Sequence, residues 1–247
     1  MNEQFSLDTF SRVATFALDG ALDIPDSALD MGAILLLDTI GVAAGAQTLQ
    51  VARIARETAL EFYAAGNEGS SARLMFDGRR ASQVGAAWAA ATQIDNLDAH
   101  DGYNPTKGHI GCAVVPALFA FAEQKPELTG REAVAALVVA YEIAARAGLA
   151  LHATVTDYHT SGAWNALGVA ALGCRLMGSD ADTLRQAIGI AEYHGPRSQM
   201  MREIDNPTKG HIGCAVVPAL FAFAEQKPEL TGREAVAALV VAYEIAA

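Results

Sequence analysis

Apolar residues recur at helical spacing through almost the whole of this chain, and only ARLMF at 72–76, before the turn Asp77-Gly78, reads as a strand. One strand of that length cannot make a sheet by itself. The spacing therefore predicts an all-α, multi-helix bundle whose chemistry sits in its connections. The longest polar interruptions are 95–108, 154–162 and 193–209.

Helix by helix, residues 6–19 carry Leu7, Phe10, Val13 and Phe16 and meet a stop at Gly20. Pro25 and Asp26 suit the start of a second helix. Leu29, Met31, Ile34, Leu35, Leu36 and Ile40 make that helix apolar nearly all round, so it is expected to be buried. A third runs from Thr48 to Ala65 and stops at Gly66. Ser82 caps a helix rich in small residues, expected to lie against the helix that comes after the loop. Pro116 falls in the apolar run 110–123, tolerated in a first turn and kinking otherwise. Thr129 and Glu132 form a capping box for a long apolar helix over 130–150. A helix over 163–177 ends at Gly178, and another runs from Asp180 to about Glu192.

A formal net charge of −11 disfavours nucleic acid, whose binders carry a basic face. An acidic substrate would have to be held by local donors against that global field. Asp38 and Glu142 interrupt the best candidates for a membrane span, and MNEQFSLDTF lacks a secretory layout, so no membrane and a cytoplasmic location are the expectations. The three cysteines, Cys112, Cys174 and Cys214, form no C-x-x-C. Cys112, within an apolar run, reads as a small buried side chain.

The polar stretch DNLDAHDGYNPTKGH brings Asp98, His100, Asp101, Lys107 and His109 between two apolar helices. A histidine beside a carboxylate can take a proton from carbon near neutral pH, because the carboxylate stabilises the imidazolium. Lys107 can neutralise a substrate carboxylate, and Gly102, Gly108 and Gly111 let backbone N–H groups approach an oxyanion. A solvated loop with His109 at the start of the next helix is the plain alternative. A metal site is another, since the His-Asp dipeptide is that of HD phosphohydrolases. That site needs a histidine upstream, and His100 is the first in the chain. His159 sits in the next interruption, and two histidine loops of this kind can converge on one cleft. Arg197, Ser198, Gln199 and Arg202 form either a carboxylate grip or an ordinary polar turn. No G-x-S-x-G, P-loop, G-x-G-x-x-G or H-E-x-x-H is present.

Residues 104–145 recur letter for letter as 206–247. Solenoid repeats diverge at surface positions. Here Gln124, Lys125 and Glu127 return unchanged as Gln226, Lys227 and Glu229. A very recent duplication, or a join in the underlying DNA, fits such identity. The organisation expected is a helical domain over 1–205 followed by the copy.

The order D-x-L-D-x-x-D, TKGH-x-G-x-x-x-x-P, YHTSGAWNALGVAA and PRSQMMREIDNPT, spread over roughly residues 5–205, resembles the MmgE/PrpD family. That family includes 2-methylcitrate dehydratase, cis-aconitate decarboxylase and iminodisuccinate epimerase. The resemblance implies a large helical domain with a smaller α+β lid, usually a homodimer, without metal or organic cofactor. It also implies removal of a proton next to a carboxylate of a small di- or tricarboxylate. Position by position it assigns His109 and His159 as acid/base residues and Asp98 as orienter. Lys107, Asp101, Arg197, Ser198 and Gln199 become substrate contacts. Family members continue after NPT into a Gly-rich segment with a lysine and then the lid; here the chain returns to the copy, so Lys209 falls near that lysine and the lid is expected to be absent. Three readings remain open from the sequence: a lyase or epimerase incomplete as an enzyme, an inert helical fold or dimerisation module, and an HD-like metal phosphohydrolase.

Overall fold

The computed structural model describes residues 3–66, 68–154 and 160–194, with side chains from residue 9. Residues 1–154 and 161–196 form one compact unit, an all-helical bundle. Among the described residues, eight α-helices accompany a single hairpin: α1 (Glu3–Leu18), α2 (Asp26–Ala46), α3 (Gln50–Phe62), α4 (Gln83–Asp95), α5 (Gly111–Ala122), α6 (Gly130–Thr154), α7 (Gly162–Met177) and α8 (Ala181–His194). The hairpin pairs β1 (Ser71–Arg73) antiparallel to β2 (Arg80–Ser82), with Ala72 opposite Ala81. The strand expected at 72–76 is thus shorter and finds its partner across the Asp77-Gly78 turn, where Gly78 takes φ 85°.

Local chemistry sets the helix ends. Ser82 Oγ accepts from Gly85 N–H at 3.1 Å. The capping box closes in both directions, with Thr129 N–H donating to Glu132 Oε2 at 2.8 Å and Glu132 N–H donating to Thr129 Oγ1 at 3.3 Å. Gly178 ends α7 in the left-handed region at φ 67°, and Ser179 N–H returns to Cys174 O at 2.9 Å. Asp180 Oδ1 caps α8 through Thr183 N–H. Pro116 lies beyond the first turn of α5, where it removes one N–H from the ladder.

The main core joins α5, α6 and α7 through Val114, Val115, Leu118, Leu137, Ala140, Trp164 and Leu172. A second, alanine-rich layer sets α3, the hairpin and α4 against Ala120 of α5, and the small side chains of α4 allow its close approach to α5. A buried relay fixes α4 further. Arg56 donates to Gln93 Oε1 at 2.7 Å, and Gln93 Nε2 donates to Ala43 O at 2.7 Å, tying α2, α3 and α4 together just before the loop that carries the histidines.

The expectation that α2 is buried all round is overturned. Its buried stripe is Leu29, Gly32, Thr39, Ala43 and Ala46, while Met31, Ile34 and Leu37 are exposed. Gly32 presses on Val134 and Val138 of α6, so the approach of α6 selects the small-residue side of α2 and leaves the larger aliphatics outside. Contrary to the reading that Asp38 and Glu142 rule out a span, α2 and α6 are long and apolar enough to cross a membrane by length and composition. α6, however, runs through the main core, which accounts for its hydropathy.

Candidate active site

The loop between α4 and α5 is shaped by its own backbone. After Asp95, Asp98 turns the chain in the left-handed region at φ 47°, a conformation that Asp tolerates better than most residues. Tyr103 N–H donates to Gly108 O at 2.8 Å, and a 3-10 turn over Asn104–Thr106 closes on Lys107, itself left-handed at φ 49°. This small closed loop returns the chain so that His109 enters α5 beside His100 and Asp101.

His109 is held on both sides of its backbone. Its carbonyl accepts from Asn165 Nδ2 at 2.6 Å and its N–H donates to Ser161 Oγ at 3.3 Å, both from the start of α7. Its ring is held as well. Nδ1 lies 2.8 Å from Asp101 O and 3.2 Å from His100 O. Two carbonyls can only accept, so Nδ1 carries a hydrogen and Nε2 is the nitrogen at which the ring exchanges a proton. Asp98 Oδ1 stands 3.3 Å from that Nε2. The ring is thus held at Nδ1 by two backbone carbonyls as well as met at its other nitrogen, Nε2, by Asp98.

His100 is buried, and its ring packs 4.3 Å, centroid to centroid, from that of His109. Burial, and next a proton on His109, lower its pKa. Both of its ring nitrogens lack a hydrogen-bond partner among the described residues.

Asp101, expected to touch substrate, is turned inward. Its carboxylate accepts from Gly111 N–H at 3.1 and 3.3 Å, supplying an anion to the start of α5. Burial pushes its pKa up to about 6 despite that hydrogen bond. The reason for this placement is steric. A Cβ on Gly111 would collide with Asp101, with Thr39 Oγ1 at 2.5 Å and with Tyr141 Oη at 2.6 Å, so three polar groups crowd onto a space only glycine leaves free. Gly108 is equally enclosed, by Ser161 and by Trp164 at 2.8 Å. Tyr141 is held protonated by burial and by the neighbouring Asp101.

Lys107 is exposed at the tip of the loop. Cys112 is half-buried, its Sγ 3.8 Å from His109 O, and burial raises its pKa well above the usual thiol range. His159, Arg197, Ser198, Gln199 and Lys209 lie outside the described residues, as does the whole copy 206–247. Asn165, Tyr141 and Thr39 do not stand out in the sequence. A concavity of about 480 Å³ lies elsewhere, lined by Leu22, Asp23, Lys125, Arg131 and Arg175. At the histidine cluster Asp98 is open to solvent, at 70% side-chain exposure.

The described residues thus form a helical domain that presents a fixed histidine and an exposed carboxylate on the loop between two core helices. The chain belongs to the MmgE/PrpD family, as the MmgE/PrpD N-terminal domain matches residues 11–209. Among characterised proteins it is similar to cis-aconitate decarboxylase from Aspergillus terreus, with 27% identity over 177 residues, covering 68% of this chain and 35% of that protein. The cis-aconitate decarboxylase of A. terreus strain NIH 2624 / FGSC A1156 matches to the same extent. The matched part of this chain thus spans about a third of the length of either relative.

Proposed function

We propose that this chain is the helical part of a cofactor-independent lyase or epimerase that acts on a small di- or tricarboxylate by removing a proton next to a carboxylate. One observation carries this reading: His109 has Nδ1 tied to two carbonyls and Nε2 directed toward Asp98. Such a ring is pre-set to accept a proton at a single atom, so no reorientation is needed in the reaction. The exposed Asp98 side chain swings aside as substrate enters and holds the imidazolium that forms. Lys107 neutralises the substrate carboxylate as charge builds on the adjacent carbon. His159 returns or removes the second proton, while Arg197, Ser198, Gln199 and Lys209 complete the grip. The similarity to a decarboxylase of cis-aconitate supports a carboxylate substrate. A homodimer in the cytosol belongs to the same reading.

The test is exchange of substrate hydrogen. In deuterated water, a folded sample offered a panel of di- and tricarboxylates should wash out the hydrogen next to one carboxylate, and His109→Gln should abolish that exchange. Exchange that persists at the wild-type rate in His109→Gln would overturn the assignment.

A further inference from the structure

His100 poses a question that proton transfer at His109 does not answer. It is 5% exposed, yet neither ring nitrogen has a hydrogen-bond partner among the described residues. Buried imidazole nitrogens are ordinarily satisfied, because each one stripped of water without replacement destabilises the fold. Its neighbours suggest what the missing partner is. Donor atoms of Asp98, His100 and His109 all lie within 4.8 Å of one another. Ligands about 2.1 Å from a tetrahedral ion stand roughly 3.4 Å apart, and Asp98 Oδ1 already stands 3.3 Å from His109 Nε2.

We propose that Asp98, His100 and His109 form a binding site for a divalent transition-metal ion with zinc's preference for imidazole and carboxylate. The second shell is already in place. A metal-ligating histidine typically donates its other ring N–H to a carbonyl or carboxylate, and His109 Nδ1 does so to Asp101 O and His100 O, leaving Nε2 to the ion. Three protein donors leave a fourth position open to water or to a substrate carboxylate. A second set, Asp95, His100 and Cys112, lies on the same ring. It is the weaker choice because it lacks a ring already held by two carbonyls, as His109 is. An ion at the first set takes the lone pair of His109 Nε2. On the proton-transfer reading given above, zinc is then an inhibitor of this centre.

Cobalt(II) titration of the full chain, followed by its visible absorption, reads the site without reference to activity. One saturable equivalent is expected, displaced by zinc, with the thermal midpoint rising as zinc is added. Asp98→Asn, an exposed position that should not disturb folding, is expected to weaken binding at least about tenfold. His100→Gln and His109→Gln are expected to abolish it. Absence of a saturable cobalt spectrum, unchanged affinity in Asp98→Asn, or binding retained in His109→Gln would overturn the proposal. Loss of the spectrum in Cys112→Ser would equally overturn it, by assigning the ion to the second set. Since binding is read spectroscopically, a chain that binds the ion but exchanges no substrate hydrogen refutes the catalytic reading alone.

Discussion

Residues 104–145 and 206–247 are the same polypeptide in two settings, and the settings decide what it can do. In front of the first copy stands DAHDGY; in front of the second stands MMREID. At the spacing that separates Asp98, His100 and Asp101 from His109, the second copy offers Met200, Arg202 and Glu203 to His211. The stretch TKGHIG is therefore only half a site. What holds Nδ1 of His109 is the backbone of His100 and Asp101, what faces its Nε2 is Asp98, and what braces its own backbone is Ser161 and Asn165 from the start of α7. None of these lies within the duplicated segment. A motif defined by its letters occurs twice, whereas the contacts that hold His109 come from residues outside those letters.

The largest contrast should appear in proton transfer. Replacing His109 by Gln is expected to slow substrate hydrogen exchange by about 10²–10⁴-fold, the ordinary contribution of a positioned general base, while His211→Gln leaves the rate unchanged. Equal losses in the two variants would put both copies on the same footing and refute the contrast. Next in size is Gly111→Ala. The added methyl collides with Asp101, Thr39 and Tyr141, so a cost of about 1–3 kcal/mol is expected from overpacking, measured as a lowered denaturation midpoint. Gly213→Ala, with Glu203 in place of Asp101, should cost less.

A smaller effect concerns pH. The folded pKa of Asp101, about 6, lies above its ordinary value of 3.8, so the folded chain holds the proton more tightly than the unfolded one. Stability is then highest below the ordinary value. It falls as pH rises through the folded pKa and levels off above it. Asp101→Asn, which still accepts from Gly111 N–H, should remove that slope and be more stable at neutral pH by on the order of 1 kcal/mol, discounted for partial exposure. Urea denaturation of both proteins between acid and neutral pH checks the sign; a midpoint that rises with pH in the parent alone would reverse it. Smallest is the helix cap. Thr129→Ala should cost about 1 kcal/mol through loss of the box with Glu132. Thr231→Ala makes the identical change in the copy, and an equal loss would show that the copy folds into the same capped helix.

Much of the architecture was legible because it follows from local rules. The periodicity gave the helices, and Ser82, the Thr129–Glu132 pair and Gly178 marked their ends for reasons that act within four residues. The concentration of ionisable residues in 98–109 also pointed to the loop that holds His109 against Asp98. What could not be read depends on contacts across the fold. Whether a carboxylate faces outward or caps the next helix is set for Asp101 by the vacancy at Gly111 and by Tyr141 on α6, residues ten and forty positions away. Which side of α2 is buried depends on how closely α6 approaches Gly32, and composition carries no such information. Asn165 was hidden for a similar reason, since its role exists only once α7 meets the His109 carbonyl.

Whether His109 takes a proton from carbon can be decided by NMR in deuterated water, with the parent, His109→Gln and His211→Gln each offered the same di- and tricarboxylates. First-order loss of one signal next to a carboxylate is expected in the parent and in His211→Gln, with none in His109→Gln. Undiminished exchange in His109→Gln, or a folded parent that exchanges no member of the panel, would show that this ring is not the base.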